Sequence, residues 1–137
     1  MTRAELQQLA KDRLGDAKGL LAGKRWAGAY YLCGYAVECA LKACIAKLMK
    51  PEVFPDKVFA EKCWTHDLER LVSLAGLKDA KDADIAMDAE RKANWFTLKD
   101  WSESARYART TKSKALALYE AVTDAKHGVL PWIKSHW

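Results

Sequence analysis

Four polar residues follow one another at intervals of four, three and four: Tyr31, Tyr35, Glu38 and Lys42. On an α-helix this spacing places them in one stripe about 60° wide. Their neighbours are almost all apolar, and burying a carboxylate and an ammonium is costly unless they are paired or face a polar cavity. Two interpretations stay open. Either Glu38 pairs with Lys42 as a buried tether that also bonds neighbouring helices, or the stripe lines a ligand groove in which tyrosines stack and Lys42 binds phosphate.

Two further groups of residues could bind or react. His66 follows Thr65, which we expect to cap the next helix, and a histidine there either bonds a nearby carboxylate or acts as a catalytic base. Arg106, Tyr107 and Arg109 lie close together, and two arginines around a tyrosine suit recognition of phosphate or carboxylate. The alternative is a surface loop in which one arginine pairs with a carboxylate of the core.

Composition places the chain among globular proteins. It has 137 residues, 50% hydrophobic and 30% charged, so we expect one domain over residues 1–137. The net charge of +5 permits an acidic partner, although the basic residues are spread along the chain. No apolar leader follows Met1 and no apolar run is long enough to span a bilayer, so we expect a cytoplasmic protein with no membrane contact.

The cysteines do not predict a metal site. Cys33, Cys39, Cys44 and Cys63 contain no C-x-x-C pair. Cys33 and Cys44 fall on the buried side of one helix, too far apart for a disulfide. We therefore expect small buried thiols and neither metal nor cofactor.

Hydrophobic periodicity predicts an all-α protein. The second predicted helix is apolar almost all round, as buried helices are. Residues 51–64 look irregular between Pro51 and Pro55, and residues 98–110 look like a connection with one helical turn. Short connections favour an up-and-down bundle of four to five helices. The predicted helices are residues 3–23, 25–49, 66–75, 80–97 and 112–127.

Three details of these elements can be checked. Gly15, Gly19 and Gly23 recur every four residues, and we expect another backbone to approach them closely. Gly128 and Pro131 are expected to end the last helix. Tryptophans in the tail, Trp132 and Trp137, would suit an interface if they were exposed.

Several motifs now resemble a known family. The segments Ala29-Tyr30-Tyr31-Leu32, Gly34-Tyr35-Ala36-Val37-Glu38 and Leu41-Lys42-Ala43 are the most specific, with Thr65-His66-Asp67-Leu68 and Trp101 to Tyr107 following in order. Together they resemble the HEPN domain family of prokaryotes. The resemblance implies an up-and-down bundle, usually a homodimer, that acts beside minimal nucleotidyltransferases in toxin–antitoxin and defence systems.

Many HEPN proteins are metal-independent ribonucleases that carry an Arg, four to six residues and then a His. This chain departs from that pattern, because no arginine stands five to seven positions before His66, His127 or His136. The ribonuclease activity is therefore not carried over. What resembles the family is the scaffold and its polar positions, which are Tyr31, Tyr35, Glu38, Lys42, His66, Arg106 and Tyr107.

We therefore expect a non-catalytic domain that binds a nucleotide, RNA or a nucleotidyltransferase partner. Lys42, Arg106 and Arg109 would neutralise phosphate, Tyr31, Tyr35 and Tyr107 would stack, and Glu38 would orient Lys42 and an arginine. One alternative is a divergent ribonuclease in which His66 and Arg106 converge across helices. The other is a purely structural dimerisation module that uses the tryptophan-rich tail.

Overall fold

A computed structural model describes all 137 residues and contains helices but no strands. The all-α class and the helical bundle predicted from the sequence are confirmed. The structure has eight α-helices and one 3-10 turn, which is more than the four to five helices predicted. The additional helices are short and lie in segments that we predicted to be irregular or part of a longer helix. The elements are α1 Arg3–Ala22, α2 Trp26–Leu48, α3 Lys57–Cys63, α4 Leu68–Leu74, α5 Lys78–Met87, α6 Ala89–Lys99, the 3-10 turn Glu103–Tyr107, α7 Lys112–Thr123 and α8 Val129–Lys134.

Helix α2 is the centre of the bundle. It packs against α1, α4, α7, α8 and the 3-10 turn. Thirteen of its 23 residues are buried, as its apolar circumference predicts. The thiols of Cys33 and Cys44 are among them, and burial raises the pKa of Cys33 to about 12 and that of Cys44 to about 11.

The predicted helix 80–97 is in fact two helices. The backbone of Asp88 is extended, and its carboxylate accepts a hydrogen bond from the Arg91 amide at 2.9 Å. This is an N-cap, so a new helix starts at Ala89. Alanine and charged residues continue through the break, and for this reason periodicity did not reveal it.

Two other boundaries were also wrong. Residues 51–64 contain α3, because the Asp56 carboxylate accepts from the Phe59 amide at 3.0 Å and starts a helix directly after Pro55. The last long helix ends at Thr123 and not at 127. Gly128 precedes the new helix α8, in which Pro131 occupies the first turn, where a missing N–H costs no hydrogen bond.

One expectation about packing is wrong, and the predicted role of the tail stays a prediction. A Cβ placed on Gly15 or Gly19 would meet no atom within 4 Å, so no backbone approaches them. The tail does not present its first tryptophan as a docking surface, because Trp132 is only 8% exposed and packs edge-to-face on Trp95. The interface proposed for the tail therefore loses one of its two aromatic residues.

Candidate functional site

The polar stripe of α2 contains Glu38, which is the one charged side chain buried in the core. Glu38 is 1% exposed, and Lys42 donates to its Oε1 atom at 2.8 Å. The two residues are one helical turn apart, with the carboxylate nearer the helix N-terminus, which is the favourable order. The predicted pairing of Glu38 with Lys42 is therefore present, and Glu38 needs further donors to be buried at acceptable cost.

His66 supplies those donors. Its Nδ1 atom lies 2.9 Å from Oε1 and 3.1 Å from Oε2 of Glu38. Its other ring nitrogen, Nε2, lies 3.0 Å from Oε2 of Glu103. Each ring nitrogen of His66 therefore faces a carboxylate, which accepts a hydrogen bond from an N–H group. The arginine that we expected beside Glu38 is absent, and His66 takes that place.

The chain before α4 holds His66 in position. The cap of this helix is Asp67, whose carboxylate accepts from the Arg70 amide at 3.1 Å, and not Thr65 as predicted. Thr65 instead accepts from the Asp67 amide through its hydroxyl at 3.1 Å. His66 thus lies between two residues that fix the backbone, with its ring directed across to α2.

Aromatic rings occupy the end of the stripe that is farthest from Lys42. The rings of Tyr31 and Tyr35 stack with centroids 6.1 Å apart, and Trp101 stacks on Tyr31 at 6.2 Å. Trp101 is buried and lies directly against Gly34, where any Cβ would overlap the indole. Sequence reasoning missed this contact, and its one signal was a glycine in the middle of a buried helix.

The 3-10 turn that follows Trp101 carries the predicted arginine group at the surface. The guanidinium of Arg106 lies over the ring of Tyr107, 4.9 Å from its centroid, and Tyr107 is 81% exposed. Arg109 follows the turn and is exposed as well. Neither arginine has a carboxylate within 4.0 Å, so their charges are not neutralised within the chain.

The predicted residues therefore form two groups. The buried Glu38 is bonded to both Lys42 and His66, which reach it from nearer the surface, whereas Arg106, Tyr107 and Arg109 are exposed and have no contact with Glu38. Glu103 joins the groups, since it contacts His66 and belongs to the 3-10 turn. A cavity of about 390 Å³ opens here, and its lining includes His66, Trp101, Ser102 and Glu103.

Comparison with protein-family models decides the family. The model of the HEPN domain matches residues 4–127. The chain belongs to the HEPN domain family. Neither the search of curated proteins nor the search of solved structures found a match.

This HEPN domain has a second histidine cluster that the sequence did not reveal. His127 Nδ1 lies 2.9 Å from Oδ2 of Asp88, and Nε2 lies 3.1 Å from Oε2 of Glu90. The Asp88 hydrogen bond is the main reason that the pKa of His127 is raised. Arg91 adds a contact of 2.8 Å to Asp84. These residues connect α5, α6 and the turn before α8.

Ionisation of Tyr35 in the stripe is suppressed. The pKa of Tyr35 is raised, mainly by burial and then by its electrostatic interactions with the Cys39 side chain and the Glu38 carboxylate. In this HEPN domain Tyr35 therefore stays a neutral phenol at physiological pH. It can stack or donate a hydrogen bond, but it does not supply a phenolate.

Two structural findings bear on ligand classes. The structure contains no group of three or more His, Cys, Asp or Glu side chains arranged to hold a metal ion. None of the helices combines the length and the apolar character that crossing a bilayer requires.

Proposed function

We propose that this HEPN domain binds single-stranded RNA or a free nucleotide, without cleaving it, through the surface formed by Arg106, Tyr107 and Arg109. The observation that carries the proposal is the exposed pair of Arg106 and Tyr107 beside an arginine with no counter-ion. An exposed ring offers a base a stacking platform, and guanidinium groups bind phosphate through paired hydrogen bonds.

The core supports this surface from behind. Trp101 lies against Gly34 and Tyr31, and it directly precedes the 3-10 turn, so the turn starts from a fixed point. Tyr31 stacks on both Tyr35 and Trp101, so the three rings form one aromatic group beside the turn. Lys42 is ion-paired with Glu38, so we assign its charge to holding Glu38 and assign phosphate neutralisation to Arg106 and Arg109.

The state of His66 supports binding without cleavage. A general base needs a ring nitrogen with a free lone pair close to its substrate. Both nitrogens of His66 face carboxylates of the same chain. A ring held between Glu38 and Glu103 in this way joins α2, the start of α4 and the 3-10 turn, which is a structural task.

The test is titration of a fluorescent single-stranded RNA and of ATP, followed by anisotropy or calorimetry at 50 and 200 mM salt. We expect R106Q/R109Q to weaken RNA binding about tenfold or more and to reduce the salt slope by about 1.4 for two lost phosphate contacts. Tyr107→Ala is expected to weaken binding about tenfold through lost stacking. ATP binding without RNA binding would identify a nucleotide site.

A matched control separates this site from general charge. K18Q/K78Q removes the same two charges from exposed positions on α1 and α5. If it weakened RNA binding as much as the arginine pair does, the surface assignment would be wrong. If the wild type bound neither ligand, the proposed function would fail.

One observation favours the second candidate, a divergent ribonuclease. The Glu38 carboxylate holds one nitrogen of His66, while the other points to the exposed side at Glu103. Glu103 and Arg106 are three residues apart in a 3-10 turn, so both lie on one face of that turn. A carboxylate that orients a histidine beside an arginine is sufficient for acid–base cleavage.

RNA recovered from the binding assay distinguishes the two candidates. Intact RNA after prolonged incubation supports binding alone. Cleavage by the wild type that is lost in both His66→Ala and Arg106→Gln would establish the ribonuclease. Cleavage that His66→Ala leaves unchanged would exclude this site as its source.

A further inference from the structure

A second and larger groove lies between α4, α5 and α6. Its volume is about 560 Å³, which is within the range of pockets that hold small organic ligands. Most of its lining is apolar, and the apolar residues include Leu68, Ile85, Trp95, Phe96 and Leu98. Phe96 is 71% exposed, so a large ring stands at the edge of the groove without a partner.

The charges around this groove are mostly of one sign. Lys81, Lys92 and Lys99 line it, and Glu69 is the one carboxylate among the lining residues. Glu69 lies 4.0 Å from Lys99, so it offsets one of the three ammonium groups at most. An apolar groove with an excess of positive charge is complementary to a ligand that is apolar at one end and anionic at the other.

Lys81 is the least exposed of the three lysines that line this groove. It is half-buried, and its Nζ atom lies 4.4 Å from the centroid of the Trp95 ring. It has no carboxylate within 4.0 Å, and burial lowers its pKa. The protein thus holds an ammonium partly away from water, against a ring face and with only the more distant charges of Glu69 and Asp82 to compensate it.

We propose that this groove binds a small amphipathic anion: an aromatic ring or short alkyl chain packs against Trp95, Ile85 and Phe96, and its carboxylate or phosphate pairs with Lys81. The anion supplies the counter-ion that Lys81 lacks, and the apolar part covers the exposed edge of Phe96. The site is separate from the proposed RNA surface, because Arg106, Tyr107 and Arg109 do not line this groove.

The test uses naphthalene-2-carboxylate as the probe and naphthalene-2-methanol as its uncharged counterpart. Each is titrated into ¹⁵N-labelled full-length protein, and amide shifts give both the location and the dissociation constant. We expect the carboxylate to bind about tenfold more tightly than the alcohol and to move amides of α5 and α6. A hydrogen bond to a charged group is commonly worth at least this factor.

Three variants separate the parts of the proposal. Lys81→Met keeps the aliphatic stem, so it is expected to weaken carboxylate binding about tenfold and to leave alcohol binding unchanged. Lys78→Met changes an exposed lysine of the same helix outside the groove and is expected to change neither. Phe96→Ser, at an exposed position, is expected to weaken both ligands.

Three outcomes would overturn the proposal. Equal affinity for carboxylate and alcohol would indicate a purely apolar surface with no anion site. An equal effect of the Lys78 and Lys81 substitutions would indicate general charge attraction. The absence of shifts in α5 and α6 would place the probe elsewhere. None of these results depends on whether the RNA surface exists, and R106Q/R109Q is expected to bind the carboxylate normally.

Discussion

His66 and His127 have the same local chemistry in two different settings. Each presents both ring nitrogens to carboxylates, Glu38 and Glu103 in the first case and Asp88 and Glu90 in the second. The inner carboxylates differ. Glu38 is buried in the middle of α2 and also binds Lys42, whereas Asp88 caps α6 and is partly exposed.

The difference shows what a histidine between carboxylates can do in a bundle. At His127 the histidine stabilises a break between two helices that the Asp88 carboxylate already caps. At His66 it makes a buried charge tolerable in the core, next to a cavity and to the turn that carries Arg106. The first cluster serves local structure, whereas the second links the core to the proposed binding surface.

Removal of the inner carboxylates should separate the two clusters most clearly. Glu38→Ala leaves Lys42 without its partner in the core and creates a cavity, so we expect it to lower the free energy of unfolding by about 3 kcal/mol. Asp88→Ala loses a partly exposed cap and should cost clearly less. Urea unfolding at pH 7 measures both.

Glu38→Gln controls for volume, because the amide fills the same space without the charge. We expect Glu38→Gln to lower the free energy of unfolding, but by less than Glu38→Ala does. If Glu38→Ala and Asp88→Ala lowered the free energy of unfolding equally, burial of Glu38 in the core would add nothing to its contribution to stability. The distinction between the two clusters would then be wrong.

A substitution at Gly34 tests whether the packing of Trp101 positions the 3-10 turn, a contact that the His127 cluster does not have. Gly34→Ala pushes a methyl group into Trp101, and overpacking of this kind costs about 1–3 kcal/mol. The tryptophan fluorescence should change, and RNA binding should weaken because the turn after Trp101 moves. Thermal unfolding and the anisotropy assay measure these effects.

Gly19→Ala is the matched control. It is also inside a helix, but its new methyl group meets nothing, so the better helix propensity should stabilise the protein by up to about 1 kcal/mol. A stabilising effect at both glycines would show that Trp101 does not depend on the absence of a Cβ at position 34.

The smallest expected effect is the pH dependence of the His127 cluster. The pKa of His127 is raised above 6.5 in the folded protein, so its contribution to stability is complete below pH 6.5 and is lost as the pH rises through the folded value. The pKa of Asp88 is lowered below 3.8, so its contribution is present above pH 3.8 and is lost as the pH falls through the folded value.

The variant to compare is His127→Gln. The stability difference from the wild type should be largest between pH 4 and 6 and should shrink as the solution becomes alkaline, when measured by urea unfolding at several pH values. A difference that stayed constant from pH 5 to 9 would mean that the imidazolium charge contributes nothing.

Sequence was sufficient where the physical cause is local. The spacing of Tyr31, Tyr35, Glu38 and Lys42 is a property of one helix, so the stripe and its ion pair could be predicted. The long apolar circumference of α2 likewise predicted its burial. The all-α class followed from periodicity, which does not depend on distant contacts.

Sequence was insufficient where the partner is distant or the signal is a single side chain. His66 contacts Glu38 across 28 positions of the sequence, and nothing in the sequence of either segment indicates which residue its partner is. The contact of Gly34 with Trp101 has the same origin. The break at Asp88 depends on one carboxylate that caps the next helix, within a composition that favours helix on both sides.

The rate at which the native cysteines are alkylated reports on local opening of this bundle. Burial raises the pKa of Cys33, Cys39 and Cys44 to about 11 or 12, so in the native fold these thiols stay protonated and react slowly with alkylating reagents. Cys63, at the end of α3, is the most accessible of the four. Without any added label, the first alkylation therefore follows the motion of α3, and the later ones measure the opening of the core around α2.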